Sequence, residues 1–455
     1  MARGKKKEAL TPEERLQAAL VPESEQPYKV PGNWSWIRLE LLLQSSKEKT
    51  EEFSDANLKY VGLEHMQKDM GVVAYDSAIG VKSLKNVFHP QQILYGKLRP
   101  YLNKHDIATF DGICSTDILV FNVTSLCTPE FMNFFLDQDV FIEYAVSNSK
   151  GINLPRVSES ALLNAKCPLP PFAEQQRIVD RIESLFAKLD EAKQKAQDAL
   201  DSFETRKAAI LHKAFTGELT AQWRQEHGVG MKSWENSTVG NVCHDVKVGI
   251  VIKPSQYYTD EEKGTPAFRS ANVRENRIDD FDWVYLNHAG MENNSRSIVH
   301  TGDVLVVRSG NPGTACVVSE KFDGYNAIDI LIAVPDHSRI FSEFLCTYTN
   351  SPIGKDLIFE NKRGMALAHF NVKGYSGLPI RVPQLNEQTE IVRILDDLLA
   401  KEAQAKETAE AVLKQIDLIK KAILARAFRG ELGTNDPSEE SAVELVTQLV
   451  NDELS

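Results

Sequence analysis

Two long stretches of the chain carry apolar residues at alternating steps of four and three, the spacing of a helix that packs along one seam. Between a preceding proline and a closing glycine, neither stretch contains Pro or Gly for about 45 residues. Each stretch therefore predicts a helix roughly 65 Å long, at residues 171–216 and 384–430. The seam positions are Ile178, Ile182, Leu185, Leu189, Ala192 and Ala196 in the first helix, and Ile391, Leu395, Leu398, Ala405, Ala409 and Ile416 in the second.

The ends of both stretches carry residues typical of helix boundaries. Pro171 and Pro383 precede the helices, and proline favours a boundary over a helix interior. Gly217 and Gly430 follow the last apolar residues, where a left-handed position after the helix favours glycine. Only Glu402 interrupts the second seam.

The two helices are copies of one sequence. Residues 174–219 align without gaps with residues 387–432, and about 20 of the 46 positions are identical where chance predicts about 3 or 4. The similarity continues more faintly upstream, where Trp34 corresponds to Trp234. The chain therefore consists of a variable region, a helix, a second variable region and a second helix.

An isolated amphipathic helix is only marginally stable, so each seam needs a partner. Two copies in one chain supply that partner, and the folded region between them allows the helices to lie antiparallel. An intermolecular coiled coil is the alternative. We predict the intramolecular pair.

The variable regions, 25–170 and 234–383, alternate short β-branched runs with turn residues, which predicts mainly short strands with some helices. The expected fold is α+β: two globular domains, two long antiparallel coiled-coil helices and a pseudo-twofold internal repeat. The remaining segments are an N-terminal tail with a short helix (1–24), a linker (217–233) and an acidic C-terminal tail (431–455). We expect the terminal segments to stabilise the helix pair or to contact a partner.

Composition and charge exclude several classes of protein. The net charge is −12, but seven acidic residues and no Lys or Arg lie between 431 and 455, so basic patches elsewhere remain compatible with nucleic-acid binding. The sequence contains no apolar run long enough to span a bilayer and no signal peptide. Six scattered cysteines without a C-x-x-C pair indicate a reducing cytoplasm and neither a disulfide framework nor a metal site.

Two basic clusters recur at equivalent places in the variable regions. Lys, Arg, Asn and Gln side chains hydrogen-bond base edges, and Lys and Arg also bind phosphates, so these clusters are candidate DNA-binding sites. In the first region the candidates are Lys97, Arg99, Tyr101, Asn103, Lys104, Lys150, Asn153 and Arg156; in the second they are Arg308, Ser309, Asn311, Lys362, Arg363 and His369. For any one of these residues, a solvated surface loop is the competing interpretation.

The sequence lacks recognisable catalytic motifs. It contains no D-P-P-Y or N-P-P-Y tetrapeptide for adenine methylation and no G-x-x-x-x-G-K-[ST] loop for a nucleoside triphosphate. The histidines do not have metal-ligand spacing. We therefore expect binding surfaces, no catalytic residues and no metal in this chain.

The doubled arrangement closely resembles the DNA specificity subunits of type I restriction–modification systems. The motifs that carry the resemblance are residues 170–179 with their copy 383–392, and residues 215–220 with their copy 428–432. The starts of the variable regions, around Trp34 and Trp234, also resemble those of the family. The resemblance covers residues 30–432, nearly the whole chain.

This resemblance implies a non-catalytic subunit with two target-recognition domains, each reading one half of an asymmetric, bipartite DNA site, and a helix pair that spaces them. It also implies a complex with two modification (methyltransferase) subunits and two restriction (translocase and endonuclease) subunits. S-adenosylmethionine, ATP and Mg are then expected on those partners, with no cofactor bound by this chain. Glu402, and Thr389-Glu390 in place of Gln176-Arg177, depart from exact duplication.

Two other functions remain open from the sequence. A structural coiled-coil adaptor would carry two peptide- or protein-binding domains and would not bind DNA in a salt-dependent way. A self-contained nuclease or methyltransferase with unfamiliar motifs would modify or cut DNA without any other subunit.

Overall fold

The computed structural model describes residues 14, 16, 17, 20–55, 57–68, 70–362 and 370–452. The chain divides into two compact units: unit 1 consists of Met1–Ala196 and Ala411–Ser455, and unit 2 consists of Gln197–Glu410. Each predicted long helix therefore contributes one half to each unit.

A side-chain cap and a proline mark the start of the first helix in unit 1, at Pro129–Leu136. Helix α1 begins after Thr128, whose side chain accepts a hydrogen bond from the Phe131 amide, with Pro129 in the first turn. The described helices are α1 (Pro129–Leu136), α2 (Asp139–Ser147), α3 (Glu159–Leu163), α4 (Phe172–Asp201), α5 (Phe203–Thr216), α6 (Ala221–Glu226), α7 (His288–Asn293), α8 (Ser342–Asn350), α9 (Pro352–Lys362), α10 (Val372–Ser376), α11 (Leu385–Ala427) and α12 (Ala442–Asp452).

The strands of unit 1 form two larger sheets, in the orders β10-β9-β12-β2 and β3-β8-β11-β4-β7, together with the pair β1-β15. Neighbouring strands are antiparallel except β4 and β11. The strands are β1 (Ser35–Arg38), β2 (Leu43–Ser45), β3 (Lys49–Thr50), β4 (Lys59–Val61), β5 (Met66–Gln67), β6 (Gly71–Val72), β7 (Asp76–Ser77), β8 (Lys85–Phe88), β9 (Ile93–Gly96), β10 (His105–Ile107), β11 (Gly112–Cys114), β12 (Ile118–Val123), β13 (Ser149–Lys150), β14 (Arg156–Val157) and β15 (Lys166–Leu169).

Unit 2 repeats this plan, with sheets in the orders β17-β26-β23-β24 and β18-β22-β19-β25 and the closing pair β16-β27. Strands β19 and β25 are parallel, as β4 and β11 are in unit 1. The strands are β16 (Glu235–Thr238), β17 (Cys243–Val248), β18 (Tyr258–Thr259), β19 (Thr265–Phe268), β20 (Val273–Arg274), β21 (Arg277–Ile278), β22 (Val284–Leu286), β23 (Val304–Val307), β24 (Ala315–Val317), β25 (Asn326–Ala327), β26 (Ile330–Pro335) and β27 (Pro379–Val382). The α+β class and the internal repeat are confirmed.

In unit 1 the start of α4 packs antiparallel against the end of α11. Ile178 shares a core with Leu424. Further along α4, the ring of Phe186 lies 4.9 Å from the ammonium of Lys420, which also contacts Asp190 at 2.6 Å. Residues later in α4 contact residues earlier in α11, so the two helices run antiparallel. The predicted intramolecular antiparallel pair is confirmed here.

Unit 2 contains the complementary pair, α5 against the start of α11. Leu211 shares a core with Leu395, and the ring of Phe203 lies 4.8 Å from the ammonium of Lys406. Glu402, the interruption in the second seam, binds Arg206 at 2.9 Å. An ion pair therefore occupies a position that the heptad pattern assigns to an apolar side chain.

Burial divides the predicted seam positions into three groups. Ala405 is exposed, so its assignment to the seam was wrong: the polar contacts around Glu402 replace apolar packing in this part of α11. Leu185, Leu189, Ala192 and Leu398 are half-buried. The buried positions are Ile178, Ile182, Ala196, Ile391, Leu395, Ala409 and Ile416.

The first long helix, expected at residues 171–216, is present as α4 and α5, with Ser202 as the one residue between them. Helical hydrogen bonds continue across it, because the Ser202 amide donates to the Asp198 carbonyl at 3.1 Å and the Arg206 amide donates to the Ser202 carbonyl at 3.0 Å. The Ser202 hydroxyl also donates to the Asp198 carbonyl at 2.8 Å, a contact that distorts a helix locally without ending it. The glycines that end the helices, Gly217 and Gly430, have φ of +86° and +73°, so their predicted left-handed conformation is confirmed.

A Glu-Gln pair begins each helix copy and is completely buried. The Gln175 side chain accepts a hydrogen bond from the Thr128 amide at 3.0 Å and donates to the Leu126 carbonyl at 2.8 Å. In unit 2, Gln388 accepts from the Phe341 amide at 2.9 Å and donates to the Arg339 carbonyl at 2.8 Å. Each glutamine thus joins a long helix to the start of α1 or α8, a role that the repeat alone did not reveal.

The buried glutamates have different partners in the two units. Glu387 accepts hydrogen bonds from Thr220, Arg224 and the Trp234 indole. Glu174 instead contacts Thr434 and Arg177. Burial raises the pKa of Glu174, while the hydrogen bonds from Thr434 and Arg177 oppose that rise.

The acidic C-terminal tail packs on unit 1. The Trp34 indole donates to Asn435 at 3.1 Å, and the Arg177 guanidinium binds Glu439 at 2.7 Å. Ala442 and Val446 on α12 are fully buried in the same core. The tail therefore has the expected stabilising contact with the base of α4. At the other end, Leu16 and Leu20 also pack against this core, whereas most of Thr11–Leu20 lies outside the described residues.

Candidate nucleic-acid interface

Both units place a cation directly after one sheet strand and an aspartate directly before its neighbour. In unit 1 Gly96 of β9 pairs with Ile118 of β12, and Lys97 lies 3.9 Å from Asp117. In unit 2 Val307 of β23 pairs with Ile330 of β26, and Arg308 lies 3.1 Å from Asp329. The duplication thus extends to an ion pair at the same end of each sheet.

A backbone hydrogen bond at this end of the sheet is repeated as well. The Val157 amide donates to the Lys97 carbonyl at 3.1 Å, and the Phe370 amide donates to the Arg308 carbonyl at 3.1 Å. In unit 1 this bond brings the second basic cluster, residues 148–156, beside the first. The chain that follows residues 363–369 returns to Arg308 in the same way.

The turn after β9 presents Arg99 and Tyr101 to solvent. Arg99 is exposed in a left-handed conformation (φ +53°), and its amide donates to the Pro155 carbonyl at 2.7 Å. Tyr101 is also exposed. Left-handed backbone is unfavourable for residues other than glycine, so this turn is held by its neighbours in a specific shape.

The two lysines of the turn are half-buried and engaged with the protein. Lys97 donates to the Thr116 carbonyl at 2.6 Å, and Lys104 donates to the Leu63 carbonyl at 2.7 Å. Both ammonium groups therefore fasten the turn to adjacent loops, and the positive charge is available to an anion mainly at Arg99.

Asn103 was predicted to contact DNA, but its side chain is buried. Its amide donates to Asp137 at 3.1 Å, and Asp137 also contacts His105 at 2.9 Å. The second His105 nitrogen lies 2.8 Å from Asn133. Asn103 therefore anchors the turn to α1 and its C-terminal end and is not available to a base edge.

His105 is the titratable group of this network. Burial lowers the pKa of its imidazole, but the hydrogen bond and negative charge of Asp137 outweigh that effect, so the pKa is raised from its ordinary value. The charged form of His105 consequently stabilises the base of the turn.

The second cluster of unit 1 is a short hairpin. Lys150 of β13 pairs with Arg156 of β14, and both side chains are exposed. Arg156 also pairs with Leu98 of the first cluster, and its Nε lies 3.2 Å from Asp117. Asn153 is exposed at the loop. The structure thus joins both predicted clusters of unit 1 in one surface.

In unit 2 the predicted residues are divided by burial. The Arg308 side chain is 14% exposed and held by Asp329, and Ser309 contacts the same aspartate at 3.5 Å. Asn311 is exposed. Arg363 and His369 lie outside the described residues, as does the side chain of Lys362.

The apolar tip of the hairpin was not among the residues that charge and hydrogen-bonding chemistry predicted. Ile152 is 100% exposed and Leu154 is 46% exposed, between Lys150 and Arg156. The signal was present in the sequence, because β-branched and aliphatic residues occur there between glycine and proline, in a segment otherwise polar.

Two features are absent from the described residues. In that part of the chain, no group of three or more His, Cys, Asp and Glu side chains is arranged to hold a metal ion. Among the same residues, none of the helices has the length and apolar character needed to cross a membrane.

Known proteins with similar sequences are specificity subunits. The chain is 35% identical to the type I restriction enzyme EcoDI specificity subunit of Escherichia coli over 211 residues, which span 46% of this chain and 47% of that subunit. It is 24% identical to the EcoKI specificity subunit of E. coli K12 over 336 residues, 71% of this chain and 68% of that one. The chain thus spans about half of the EcoDI relative and two thirds of the EcoKI relative.

A solved structure and a protein family match as well. The HsdS subunit from Thermoanaerobacter tengcongensis superposes with a TM-score of 0.68 at 23% identity, covering 90% of this chain and all of that one, and so shares the fold. The type I restriction modification DNA specificity domain family matches twice, over residues 29–200 and 231–415. These two matches cover most of the chain and coincide with its two repeats. The chain therefore belongs to the family of type I restriction modification DNA specificity domains.

Proposed function

We propose that this chain is the sequence-specific DNA-binding subunit of a type I restriction–modification complex. Each unit reads one half of a bipartite, asymmetric DNA site. The observation that carries this proposal is the repeated turn at the end of each sheet, where a cation follows β9 or β23 and a returning segment is bound to its carbonyl. Two copies of one turn, one in each unit, match two half-sites.

The exposed groups of unit 1 suit contact with a duplex. Arg99, Lys150 and Arg156 supply positive charge, and Asn153 supplies an amide, beside one another on joined loops. Arginine and asparagine recognise guanine and adenine edges in the major groove, and lysine binds phosphates. The net charge of −12 does not oppose this, because the local charge governs phosphate binding.

The proposal includes the chain's partners. The chain scaffolds two methyltransferase subunits and two restriction subunits in the cytoplasm, and is itself non-catalytic. It binds no cofactor; S-adenosylmethionine, ATP and Mg are assigned to the partner subunits. The relatives are named as specificity subunits of type I restriction enzymes, which supports a place in a multi-subunit enzyme. The kinds and numbers of partner subunits follow from the family resemblance of the repeated motifs, and the non-catalytic role fits the lack of catalytic motifs in the sequence.

The deciding experiment is a genome-wide map of modified bases after co-expression with the cognate modification subunit in a methylation-free host. An adenine modified within one interrupted, two-part motif supports the proposal and gives both half-sites. An assembled complex that modifies nothing contradicts it.

A salt titration separates the proposal from a structural adaptor. DNA affinity that depends on phosphate contacts falls steeply between about 50 and 200 mM salt, because bound counterions are released. A chain that binds its partner subunits but shows no salt-dependent DNA binding is an adaptor.

A further inference from the structure

We propose that Ile152, at the tip of the hairpin of residues 149–157, packs against the 5-methyl group of a thymine in the DNA major groove. This inference rests on the proposed function and deepens it, since it names one base and the residue that reads it. It depends on three features of the hairpin: an exposed apolar tip, cationic flanks and a rigid base.

The tip presents an aliphatic side chain fully to solvent. Ile152 is 100% exposed and Leu154 is 46% exposed in a loop of five residues. Gly151 has φ of +105°, and a side chain there would come within 3.0 Å of the Leu154 carbonyl oxygen, so the loop is tightly closed. This geometry projects Ile152 away from the protein, where only a partner can bury it.

The cationic residues on both sides of the tip favour an anionic partner. Lys150 and Arg156 face each other at the base of the loop, and Arg99 is tied to the same loop through the Pro155 carbonyl. Positive charge on both sides of an apolar tip suits phosphates on both sides of a groove. The base is rigid, because Leu98 pairs with Arg156 and the Val157 amide binds the Lys97 carbonyl.

Dimensions decide which groove receives the hairpin. Two paired strands are about 4.8 Å apart before their side chains are counted. The minor groove is about 6 Å wide, whereas the major groove is about 12 Å wide and admits a two-stranded ribbon. Of the four bases, only thymine presents a methyl group in the major groove, and apolar side chains recognise it there.

The test uses the full chain bound to its modification subunit and duplexes that carry the mapped two-part site. Each thymine of both half-sites is replaced singly by deoxyuridine, which lacks only the 5-methyl group, and dissociation constants are measured at constant salt. The wild-type complex should bind one of these duplexes about fourfold more weakly, the ratio expected for one buried methyl-sized group. With Ile152→Ala, the same substitution should have no effect.

The matched control is Ile79→Ala, which removes another exposed isoleucine of unit 1 and should keep the sensitivity to deoxyuridine. Ile152→Val should keep most of it. Tight, site-specific binding that is indifferent to deoxyuridine at every position overturns the methyl contact and leaves the proposed function intact. A loss with Ile152→Ala that is equal for thymine and deoxyuridine duplexes also overturns it. Absence of any site-specific binding contradicts the proposed function itself.

Discussion

The guanidinium of Arg224 lies 2.6 Å from Oε1 of Glu387, and both side chains are buried. Glu387 also accepts hydrogen bonds from Thr220 and from the Trp234 indole. Residues 217–233 were expected to be a linker, but this carboxylate binds Thr220 and Arg224 within that segment, and Trp234 directly after it, to the first turn of α11. The contact holds the start of β16 against the base of the helix pair in unit 2.

Replacing Glu387 by Gln should reduce the free energy of unfolding of unit 2 by about 3–5 kcal/mol, because it leaves Arg224 buried without a countercharge. Urea denaturation of the full chain measures the loss. Glu390→Gln is the control: its partner Arg393 is largely exposed, and such surface pairs contribute about 0–1 kcal/mol. Equal effects of the two substitutions would show that the buried pair has no special role.

Replacing the buried glutamine should reduce the stability of each unit by a similar amount. Gln175→Leu or Gln388→Leu leaves the amide of Thr128 or Phe341 without its acceptor, which should cost about 1–3 kcal/mol. Thermal unfolding measures each loss. The exposed Gln176→Leu is the matched control. A stable Gln388→Leu beside a destabilised Gln175→Leu would mean that the two copies are not equivalent.

Arg99→Ala should relax base preference in one half-site by about 1–3 kcal/mol if the contact with guanine is bidentate, with little change in stability. Arg308→Ala should behave differently, because its side chain is mostly buried against Asp329 and supports the turn. We expect a lower unfolding midpoint for Arg308→Ala. Binding to a panel of single-base variants, together with melting curves, distinguishes them; a uniform loss for Arg99→Ala makes Arg99 a phosphate contact.

The stability of unit 1 should depend on the charge of His105. Because its folded-state pKa is raised above 6.5, the stabilisation is fully present below that pH and is lost as the pH rises through the folded-state value. His105→Asn should remove this slope, as measured by urea midpoints across pH. The His89→Gln background is used throughout, because the hydrogen bonds that His89 donates to Asp111 and Glu48 raise the pKa of His89 too. An unchanged slope would exclude His105 as the group responsible.

Deleting residues 434–455 should destabilise unit 1 by roughly 2–4 kcal/mol. The deletion removes buried Ala442 and Val446 and takes Glu439 from Arg177. The melting temperature of the full chain measures the effect. Gln448→Ala, an exposed change on the same helix, should melt like the wild type. An unchanged melting temperature after the deletion would restrict the tail to a contact with partners.

The sequence by itself determined the long helices, their duplication and the α+β class. Periodicity of three and four residues is a local property, and so are the proline and glycine stops, so neither depends on distant contacts. It also located the turn after β9 and its counterpart after β23, because duplicated chains place equivalent loops at equivalent ends of their strands.

Only the tertiary structure decided which side chains of those turns face solvent. Asn103 and Arg99 lie four residues apart in one basic segment. The buried side chain of Asn103 donates to Asp137, whereas the side chain of Arg99 is exposed and its backbone amide donates to the Pro155 carbonyl. The amino-acid sequence does not directly show which distant residues become neighbours in the folded chain. For the same reason the heptad pattern placed Ala405 in the seam, while a polar pair with Arg206 occupies that part of the helix. The contact between Trp34 and Asn435, more than 400 residues apart, likewise exists only once the chain has folded.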